Sequence, residues 1–242
     1  MKKVICDYIL LGVGLVLGFV LVSHTASANS INIDGNFSDW GSVGSVQEFA
    51  ASPSYPNNMR QVGLFVDEDN IYIYMSMAPK LFSPDSKEST NDYDAKSGSY
   101  YLSIGGHDMY VQIYFPGYRP DNSSVHFSVG NIYDANSYKS VNGVGDGYLE
   151  RQAANGKYND RWELKIPMAT VKEVYGSDLP SQTNITFHGS NGGTIFFNGN
   201  VSADYSGASS GPILIAMVGL GMAVISLPLM KKYRLRKNGA TI

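Results

Sequence analysis

Cysteine is almost absent from this chain of 242 residues, which has a single copy near its start. A disulfide framework and a cysteine-based zinc site both need more than one cysteine, so the sequence excludes them. Charged side chains are also sparse, at 16% of residues against roughly 25% in an average soluble domain. The net charge of −3 lacks the basic excess of a nucleic-acid-binding protein, and we expect no nucleic-acid partner. Hydrophobic residues are plentiful at 43%, which is typical of a folded protein.

Residues 1–28 have the three parts of a secretory signal peptide. Lys2 and Lys3 supply the positive start, Tyr8–Val22 is an apolar run, and Ala26 and Ala28 are the small residues that precede a cleavage site. The alternative is an uncleaved transmembrane anchor. Cleavage after the second alanine would leave an exported protein without cysteine, because the single copy lies in the signal peptide.

Residues 206–242 predict a second membrane segment. A linker of small residues at 206–212 precedes Ile213–Met230, an uncharged run that is long enough, as a helix, to cross a hydrocarbon core of about 30 Å. Positive charge directly after this run places the C-terminus in the cytoplasm and the preceding domain outside. We therefore expect a protein that is exported and anchored in the membrane at the cell surface. The basic tail, 231–242, carries Lys231, Lys232, Arg234, Arg236 and Lys237.

The order of these terminal features resembles a known sorting signal. Small residues, a Gly211-Pro212 helix entry, a glycine-containing apolar helix and a basic tail are similar to the C-terminal sorting domain called Firmicu-CTERM. No LPxTG-type pentapeptide precedes the helix, which separates this ending from sortase substrates. The resemblance implies a Gram-positive surface protein that an exosortase-like membrane enzyme processes or retains. The remaining segment, 29–210, holds 11 basic and 20 acidic residues, so its acidity disfavours anionic partners.

Hydrophobic residues between the two ends, in 29–205, recur with a period of two, which indicates β-strands. Aliphatic residues alternate through Val62–Val66 and again through Ile71–Met77, on either side of the polar segment Asp67–Asn70. Pairing Val66 with Ile71 keeps all of these aliphatic side chains on one face of the sheet. The pattern therefore predicts a β-hairpin.

A second hairpin is predicted at residues 100–115. Aliphatic residues alternate before and after a glycine pair, and a turn at Gly105-Gly106 or at Gly106-His107 brings them to one face. With further short strands and many turn residues, the sequence predicts an all-β fold, an antiparallel two-sheet β-sandwich. We expect later strands at Val125–Val129, Arg161–Ile166, Ile185–Gly189 and Thr194–Asn198, and one short helical turn at Met168–Tyr175.

Three segments share their order and spacing with a known group of domains. Ile31–Trp40 contains I-D-G-x-x-x-D-W, Val62–Ile73 is the first hairpin, and Arg161–Pro167 reads R-W-E-L-K-I-P. These segments resemble the family 9 carbohydrate-binding modules and the DOMON superfamily. The resemblance implies a β-sandwich that binds sugars or haem, and the sugar-binding members hold their ligand between tryptophans.

The motif residues also have structural explanations. An aspartate followed by glycine at positions 34 and 35 predicts a tight turn. The two tryptophans lie beside alternating strands, so we expect them to anchor the core rather than to hold a sugar. A proline after the third segment ends its strand by withholding a hydrogen-bond donor. These structural motif residues are Asp34, Gly35, Asp39, Trp40, Trp162 and Pro167.

The outward positions of the second hairpin give a candidate ligand-binding surface. Three tyrosines and an amide share this face, and such residues can stack on sugar rings and hydrogen-bond their hydroxyl groups. Polysaccharide is therefore the predicted ligand, unless this face packs against the other sheet or a loop. The outward residues are Tyr101, Ser103, Tyr110, Gln112 and Tyr114, and the loop residues that could contribute are Tyr118, Asn122, Tyr133, Asn136 and Tyr138.

Two other functions stay open from the sequence. One is a DOMON-like haem domain for electron transfer, in which methionine and histidine ligate the iron. Met75, Met77 and Met109 fall on core-facing positions, however, where methionine fills gaps. The other is an adhesion or structural surface protein without a small ligand. The available side chains are Met59, Met75, Met77, Met109 and Met168, with His107, His126 and His188.

We expect no enzymatic activity, no bound metal and no cofactor. The histidines lack metal-ligand spacing, no nucleophile-elbow motif is present, and scattered acidic residues do not identify a glycosidase pair. Asp67–Asn70 lacks the spread of oxygen ligands that calcium needs, which favours a solvated turn. The sequence thus predicts a bacterial cell-surface protein that presents a non-catalytic binding module, with carbohydrate as the preferred ligand.

Overall fold

The computed structural model describes residues 31–43, 46–88, 93–180 and 182–205. The predicted signal peptide, with Ala26 and Ala28, lies outside these ranges. So do the linker at 206–212, the apolar run Ile213–Met230 and the basic tail. Within the described ranges, no helix combines the length and the apolar character needed to cross a membrane.

The described chain is built from antiparallel β-strands with little helix. A 3₁₀ turn at Phe37–Asp39 leads into the short helix α1, Trp40–Val43, and α2 spans Met168–Tyr175. The second of these is the helical turn that the sequence predicts, and it ends at Gly176, whose φ of +87° favours glycine. The strands are β1 Val46–Ser52, β2 Tyr55–Val66, β3 Asn70–Ser76, β4 Gly98–Ile104, β5 His107–Ile113, β6 Ser124–Asp134, β7 Ser140–Ala154, β8 Lys157–Pro167, β9 Thr183–Asn191 and β10 Thr194–Tyr205.

Both predicted hairpins are confirmed in register. Val66 pairs with Ile71 between β2 and β3, as the alternation of aliphatic residues requires. Between β4 and β5, Ile104 pairs with His107, so the turn is Gly105-Gly106, the first of the two alternatives. Both glycines have positive φ, +57° and +85°, which a type I′ turn needs and which other residues adopt only with strain.

The ten strands form one continuous antiparallel sheet in the order β1-β2-β3-β8-β7-β6-β5-β4-β9-β10. This sheet folds over its own core, since Tyr100 of β4 and Trp162 of β8 have ring centroids 5.5 Å apart. Its two edges approach each other, with the rings of Phe49 in β1 and Phe197 in β10 only 5.1 Å apart. The all-β antiparallel prediction is confirmed, and the folded sheet is consistent with a β-sandwich whose two layers are joined, because hydrogen bonding continues around the bend.

The inward face of the sheet forms the main hydrophobic core. Aliphatic side chains from both halves of the folded sheet meet there. They include Leu64 of β2, Leu102 of β4 and Leu164 of β8, which are all almost fully buried. Helix α2 contributes Val171 and Val174 to the same cluster. Burial of this continuous apolar surface is the main force that holds the folded sheet together.

Strand β7 is the element that sequence patterning missed, together with β1. Its glycine-rich, polar sequence is typical of a loop, but the glycines are required by close packing. A Cβ on Gly145 would lie 2.1 Å from the carbonyl oxygen of Lys165, and one on Gly147 would lie 2.4 Å from Cζ of Phe127. The segment is a strand because it pairs with both β6 and β8, and the close approach of those strands requires glycine at these positions, a tertiary constraint that local sequence does not display.

Candidate functional site

The N-terminal motif is fixed to the sheet by one buried carboxylate. Glu163 of β8 is 0% exposed and accepts hydrogen bonds from the backbone N–H of Asp34 at 3.2 Å, that of Gly35 at 2.8 Å and Nε1 of Trp40 at 2.9 Å. Burial raises the pKa of Glu163, and these three donors oppose the shift. Glu163 lies inside the R-W-E-L-K-I-P segment, and only the structure reveals that it joins two motifs 123 or more positions apart.

The two tryptophans are buried in different clusters. Trp40 is 2% exposed and stacks on Tyr74, with ring centroids 5.4 Å apart, on the outward face of β3. Trp162 is 0% exposed and lies in the main core. Neither ring has a face open to a ligand, so the sugar site that the family resemblance implies, between tryptophans, is not formed by these two residues.

The remaining motif residues have local roles. Gly35 has a φ of +82°, as the predicted Asp34-Gly35 turn needs. Asp39 accepts the backbone N–H of Asn32 at 2.8 Å, which closes the segment between them. Pro167 is the last residue of β8 and directly precedes α2. These contacts hold the motif in place against the sheet.

The polar loop between β2 and β3 is held by its own hydrogen bonds. Oδ1 of Asp67 accepts the backbone N–H of Asp69 at 2.9 Å and of Asn70 at 2.7 Å, and Oδ2 accepts the hydroxyl of Tyr72 at 3.0 Å. Burial, and then the carboxylate of Asp67, raise the pKa of Tyr72 to about 12. Within the described residues no group of three or more acidic, histidine or cysteine side chains is arranged to hold a metal ion.

The methionines proposed for haem ligation lie mainly inside the protein. Met75, Met77, Met109 and Met168 are all part of the main core cluster. The histidines lie on the outside of the sheet or at a turn, where His107 is exposed. Met59 of β2 is the candidate that is only partly buried.

The predicted tyrosines lie together on the outward face of β4, β5 and β6. Tyr101 pairs with Tyr110, and Tyr110 pairs with Tyr133 of the next strand. On the other side, Tyr101 pairs with His188 of β9. We call Tyr133, Tyr110, Tyr101 and His188 the aromatic row. Helix α2 contacts β6 and β7 and contributes its buried side chains to the main core, and each member of the aromatic row is half-buried.

The rings of the aromatic row stand upright and stack on one another. Centroids are 5.3 Å apart for Tyr110 and Tyr133, 5.4 Å for Tyr101 and Tyr110, and 4.1 Å for Tyr101 and His188. These distances are too short for rings that lie side by side in one plane, so the row presents ring edges to solvent. Tyr101 and Tyr110 therefore do not provide the flat stacking platform that the sequence suggested, because their faces are occupied by each other.

Among the predicted tyrosines of the second hairpin, Tyr114 is the one with an accessible ring. It lies across Gly130 of β6, where an added Cβ would be 2.9 Å from its Cε2 atom and 3.0 Å from Cδ2. Its hydroxyl lies 3.0 Å from Oε1 of Gln112, to which it donates. The side chain is nevertheless 59% exposed, so the side of the ring away from Gly130 is open. Glycine supports this ring by leaving room for it, a role that sequence alone does not reveal.

Amide side chains continue outward from Gln112 across three strands. Gln112 of β5 pairs with Asn131 of β6, which in turn pairs with Asn142 of β7. We call these residues the amide row. Oδ1 of Asn131 is buried and has no hydrogen-bond partner among the described residues. An unsatisfied buried acceptor costs free energy, and a hydrogen-bond donor at this oxygen would lower that cost.

Positive charge is missing from the strands that carry this surface. None of β4, β5, β6, β9 and β10 contains a lysine or an arginine, and the one arginine of β7, Arg151, is engaged by Asp160 and Asp94. The acidic residues nearby are few, and Asp108 is engaged with the hydroxyl of Tyr101 at 2.6 Å. Burial, and then this carboxylate, raise the pKa of Tyr101 to about 12. A surface of amides, hydroxyl groups and aromatic rings without cations is suited to a neutral polar ligand.

The other predicted loop residues do not join this surface as a group. Tyr133 lies in β6, in the aromatic row, whereas Asn136 and Tyr138 lie in the turn after it. Asn122 is committed to structure, because its side chain accepts from the backbone N–H of Ala153 at 2.9 Å and donates to its carbonyl oxygen at 3.1 Å. Tyr118 is exposed in the connection between β5 and β6.

Comparison with known proteins yields a likeness in three dimensions. No protein-family model matches the chain, and no curated protein matches it. Among solved structures, the chain is similar to a family 9 carbohydrate-binding module from Caldicellulosiruptor kristjanssonii in complex with glucose. The two share 14% identity, the match covers 76% of this chain and 95% of that one, and the TM-score is 0.29. Glucose is the ligand of that protein, and a likeness of this extent matches no residue here to its sugar site.

Proposed function

We propose that this chain is an exported bacterial surface protein whose β domain binds neutral polysaccharide without catalysis. The binding surface consists of Tyr114 and the amide row. The observation that supports it is the open ring of Tyr114, held over Gly130 directly beside Gln112. An accessible aromatic ring next to amide donors and acceptors is the combination that a sugar needs, because its ring has an apolar face and a polar rim.

The charge distribution favours the same ligand. The strands that carry Gln112 and Asn131 contain no lysine or arginine, which disfavours the ion pairing that phosphate, sulfate or carboxylate groups would need. The amide row offers both donors and acceptors, which match hydroxyl groups. Neutral glycans carry no charge and present many hydroxyl groups, so they match this surface. A basic protein would need carboxylates, which the amide row does not supply.

Replacement of Tyr114 by alanine is expected to weaken binding of a neutral soluble polysaccharide at least tenfold, which corresponds to about 1.4 kcal/mol. The reason is the loss of the exposed ring surface. Tyr114→Phe retains the ring and loses only the hydroxyl contact with Gln112, so it should bind nearly as the wild type. The measurement is affinity electrophoresis or titration calorimetry on the purified full-length chain, after a screen of neutral glycans.

Tyr55→Ala is the matched control, since Tyr55 is an exposed tyrosine in β2, on a different part of the sheet. It should leave the affinity unchanged. Equal binding by Tyr114→Ala and the wild type would refute this surface. Titration with haem, followed by the Soret absorption band, tests the electron-transfer alternative. Absence of both glycan binding and haem binding would favour an adhesion function.

The proposed anchoring rests on the sequence of the two ends. We propose that Ile213–Met230 holds the protein in the membrane, with the Lys231–Lys237 cluster on the cytoplasmic side, and that an exosortase-like enzyme recognises this ending. Mass spectrometry of the surface-retained protein, after its extraction from the cells, is expected to show a new C-terminus before the basic tail. An intact tail on all surface-retained protein would exclude processing and leave simple membrane retention.

A further inference from the structure

The antiparallel sheet places the connections between its strands at two opposite ends of the domain. Strand β10 finishes at Tyr205, and the chain leaves there toward the predicted apolar run. We call this end the exit pole, and it also holds the β2–β3, β4–β5 and β6–β7 turns and helix α2. We call the opposite end the loop pole. Its connections join β1 to β2, β3 to β4, β5 to β6, β7 to β8 and β9 to β10.

Exposed large hydrophobic side chains are concentrated at the loop pole. Among the described residues, six such side chains are exposed, and only Tyr138 lies at the exit pole. Single exposed hydrophobic residues are normal on a protein surface, whereas their concentration on one surface marks a site of contact with another molecule. Those at the loop pole are Tyr55, Phe82, Tyr114, Tyr118 and Ile195.

Three of the connections at the loop pole are fixed to one another. The β3–β4 and β5–β6 connections meet at Asp160, through Ala95 and Arg119. The side chain of Asn122, in the β5–β6 connection, bonds the backbone of Ala153 beside the β7–β8 turn. A surface that is ordered before contact loses less conformational entropy when a partner binds. The loop pole is therefore a preformed surface rather than a set of independent loops.

The two poles differ in charge. Among the described residues of the exit pole, exposed carboxylates outnumber the exposed lysine, so two exit poles repel each other. The loop pole carries exposed charges of both signs in similar numbers. Such a surface can pair with a copy of itself, and it favours neither a strongly acidic nor a strongly basic partner. The exposed charged residues are Glu68, Asp69, Lys139, Glu173, Asp178 and Asp204 at the exit pole, and Lys80, Asp85, Lys87, Lys96, Asp121 and Lys157 at the loop pole.

From these observations we infer that the loop pole binds the loop pole of a second copy on a facing surface, so that the protein joins two surfaces that carry it. The linker 206–212 spans at most about 25 Å even when extended, so an anchor after it directs the loop pole outward. Contact between two identical poles is isologous and closes as a pair. Tyrosine and phenylalanine are enriched in protein interfaces. The facing geometry rests on the proposed anchoring and is independent of glycan binding.

The test uses the full-length chain attached to beads through a C-terminal affinity tag, which directs the loop pole outward whether or not the chain spans a membrane. Wild-type beads are expected to cluster in buffer without glycan. Tyr118→Ser removes a ring of the loop pole that is 79% exposed. It should lower the clustered fraction about fivefold or more, because interface aromatic residues carry much of the contact energy. In mixtures labelled with two dyes, clusters should contain mainly wild-type beads.

Tyr138→Ser is the matched control, because this ring is 77% exposed and lies at the exit pole. Beads with this variant should cluster as wild-type beads do. A second pair of variants tests the charge balance. Lys157→Glu makes the loop pole acidic and should weaken clustering several-fold, since two such poles repel, whereas Lys139→Glu at the exit pole should not. Circular dichroism melts of each variant identify any loss of folding.

The outcomes separate this inference from the proposed function. Absence of wild-type clustering, or equal clustering by wild type and Tyr118→Ser, would overturn the pairing of loop poles and leave glycan binding in place. Capture of vesicles of phosphatidylglycerol and phosphatidylcholine by wild-type beads, lost in Tyr118→Ser and without bead clustering, would assign the pole to a lipid surface and overturn pairing. Clustering of beads that carry a chain unable to bind any neutral glycan would support pairing and overturn the glycan function alone.

Discussion

Replacement of Asp160 by alanine is expected to lower the free energy of unfolding by about 4 kcal/mol. The Asp160 side chain is 0% exposed and accepts from Arg119 and, at 2.8 and 3.2 Å, from Nε and Nη2 of Arg151. It also accepts the backbone N–H of Ala95 at 2.9 Å. Removal of the carboxylate leaves two largely buried guanidinium groups without this shared negative partner. Removing one partner of a buried ion pair is strongly destabilising, because the charge that remains is buried and uncompensated.

The loss would extend beyond β8, because Asp160 ties together separate connections at one end of the molecule. Arg119 lies in the segment between β5 and β6, Ala95 lies in the segment between β3 and β4, and both reach Asp160. Urea denaturation followed by circular dichroism gives the change in unfolding free energy.

Asp94→Ala is the matched control for Asp160→Ala. Asp94 contacts the same two arginines, but its side chain is 50% exposed, so water can replace it and the expected loss is about 1 kcal/mol or less. Asp160→Asn preserves the shape and an acceptor for Ala95, and its destabilisation should fall between the two alanine variants. Equal small losses in all three variants would contradict the central role of the buried carboxylate.

Replacement of Glu163 by alanine is the second large effect, with an expected loss of about 3 kcal/mol. Three donors lose their acceptor, and the N-terminal segment loses its polar attachment to the sheet. That segment covers the aromatic residues Tyr72 and Tyr74 on the outward face of β3. We therefore expect residues 31–43 to become protease-sensitive before the rest of the domain, as judged by limited proteolysis with mass spectrometry.

Trp40→Phe separates the two components of this attachment. It removes the Nε1 bond to Glu163 and keeps an aromatic ring against Tyr74, so the expected loss is about 1–2 kcal/mol. The result that would count against this explanation is a Glu163→Ala variant whose N-terminal segment resists protease as well as the wild-type segment does. Neither replacement touches the amide row, and both should preserve glycan binding at temperatures where the domain is folded.

The hairpins could be predicted because their determinants are local. The pairing of Val66 with Ile71 follows from alternation on both sides of a short polar loop, since any shift by one residue would expose the aliphatic side chains. The turn at Gly105-Gly106 follows from the backbone freedom of glycine. In both places the information lies within about 16 residues of sequence, the range over which a pattern can be read.

The binding surface could be predicted only in part. Outward alternation identifies Tyr101, Tyr110, Gln112 and Tyr114 as neighbours, and they are neighbours. The alternation of residues gives no information about how a ring is oriented. It therefore could not distinguish the stacked rings of Tyr101 and Tyr110 from the open ring of Tyr114 over Gly130. The amides at positions 131 and 142 were missed because their strands were predicted as shorter or as loop, although the polar face of β6 was a signal that could have indicated the first.

The sequence by itself determined the all-β antiparallel character, the two hairpins and the short helix, because period-two patterning and turn chemistry are properties of nearby residues. It also supplies the predictions for the two ends, the sorting-domain resemblance and the likeness to DOMON domains, which stay predictions. Only the tertiary structure decided that the strands form one continuous sheet, that Glu163 joins the distant motifs, and that Tyr114 rather than the aromatic row has an open ring. Each of these depends on contacts between residues far apart in the chain, and such contacts are fixed by the packing of the whole core.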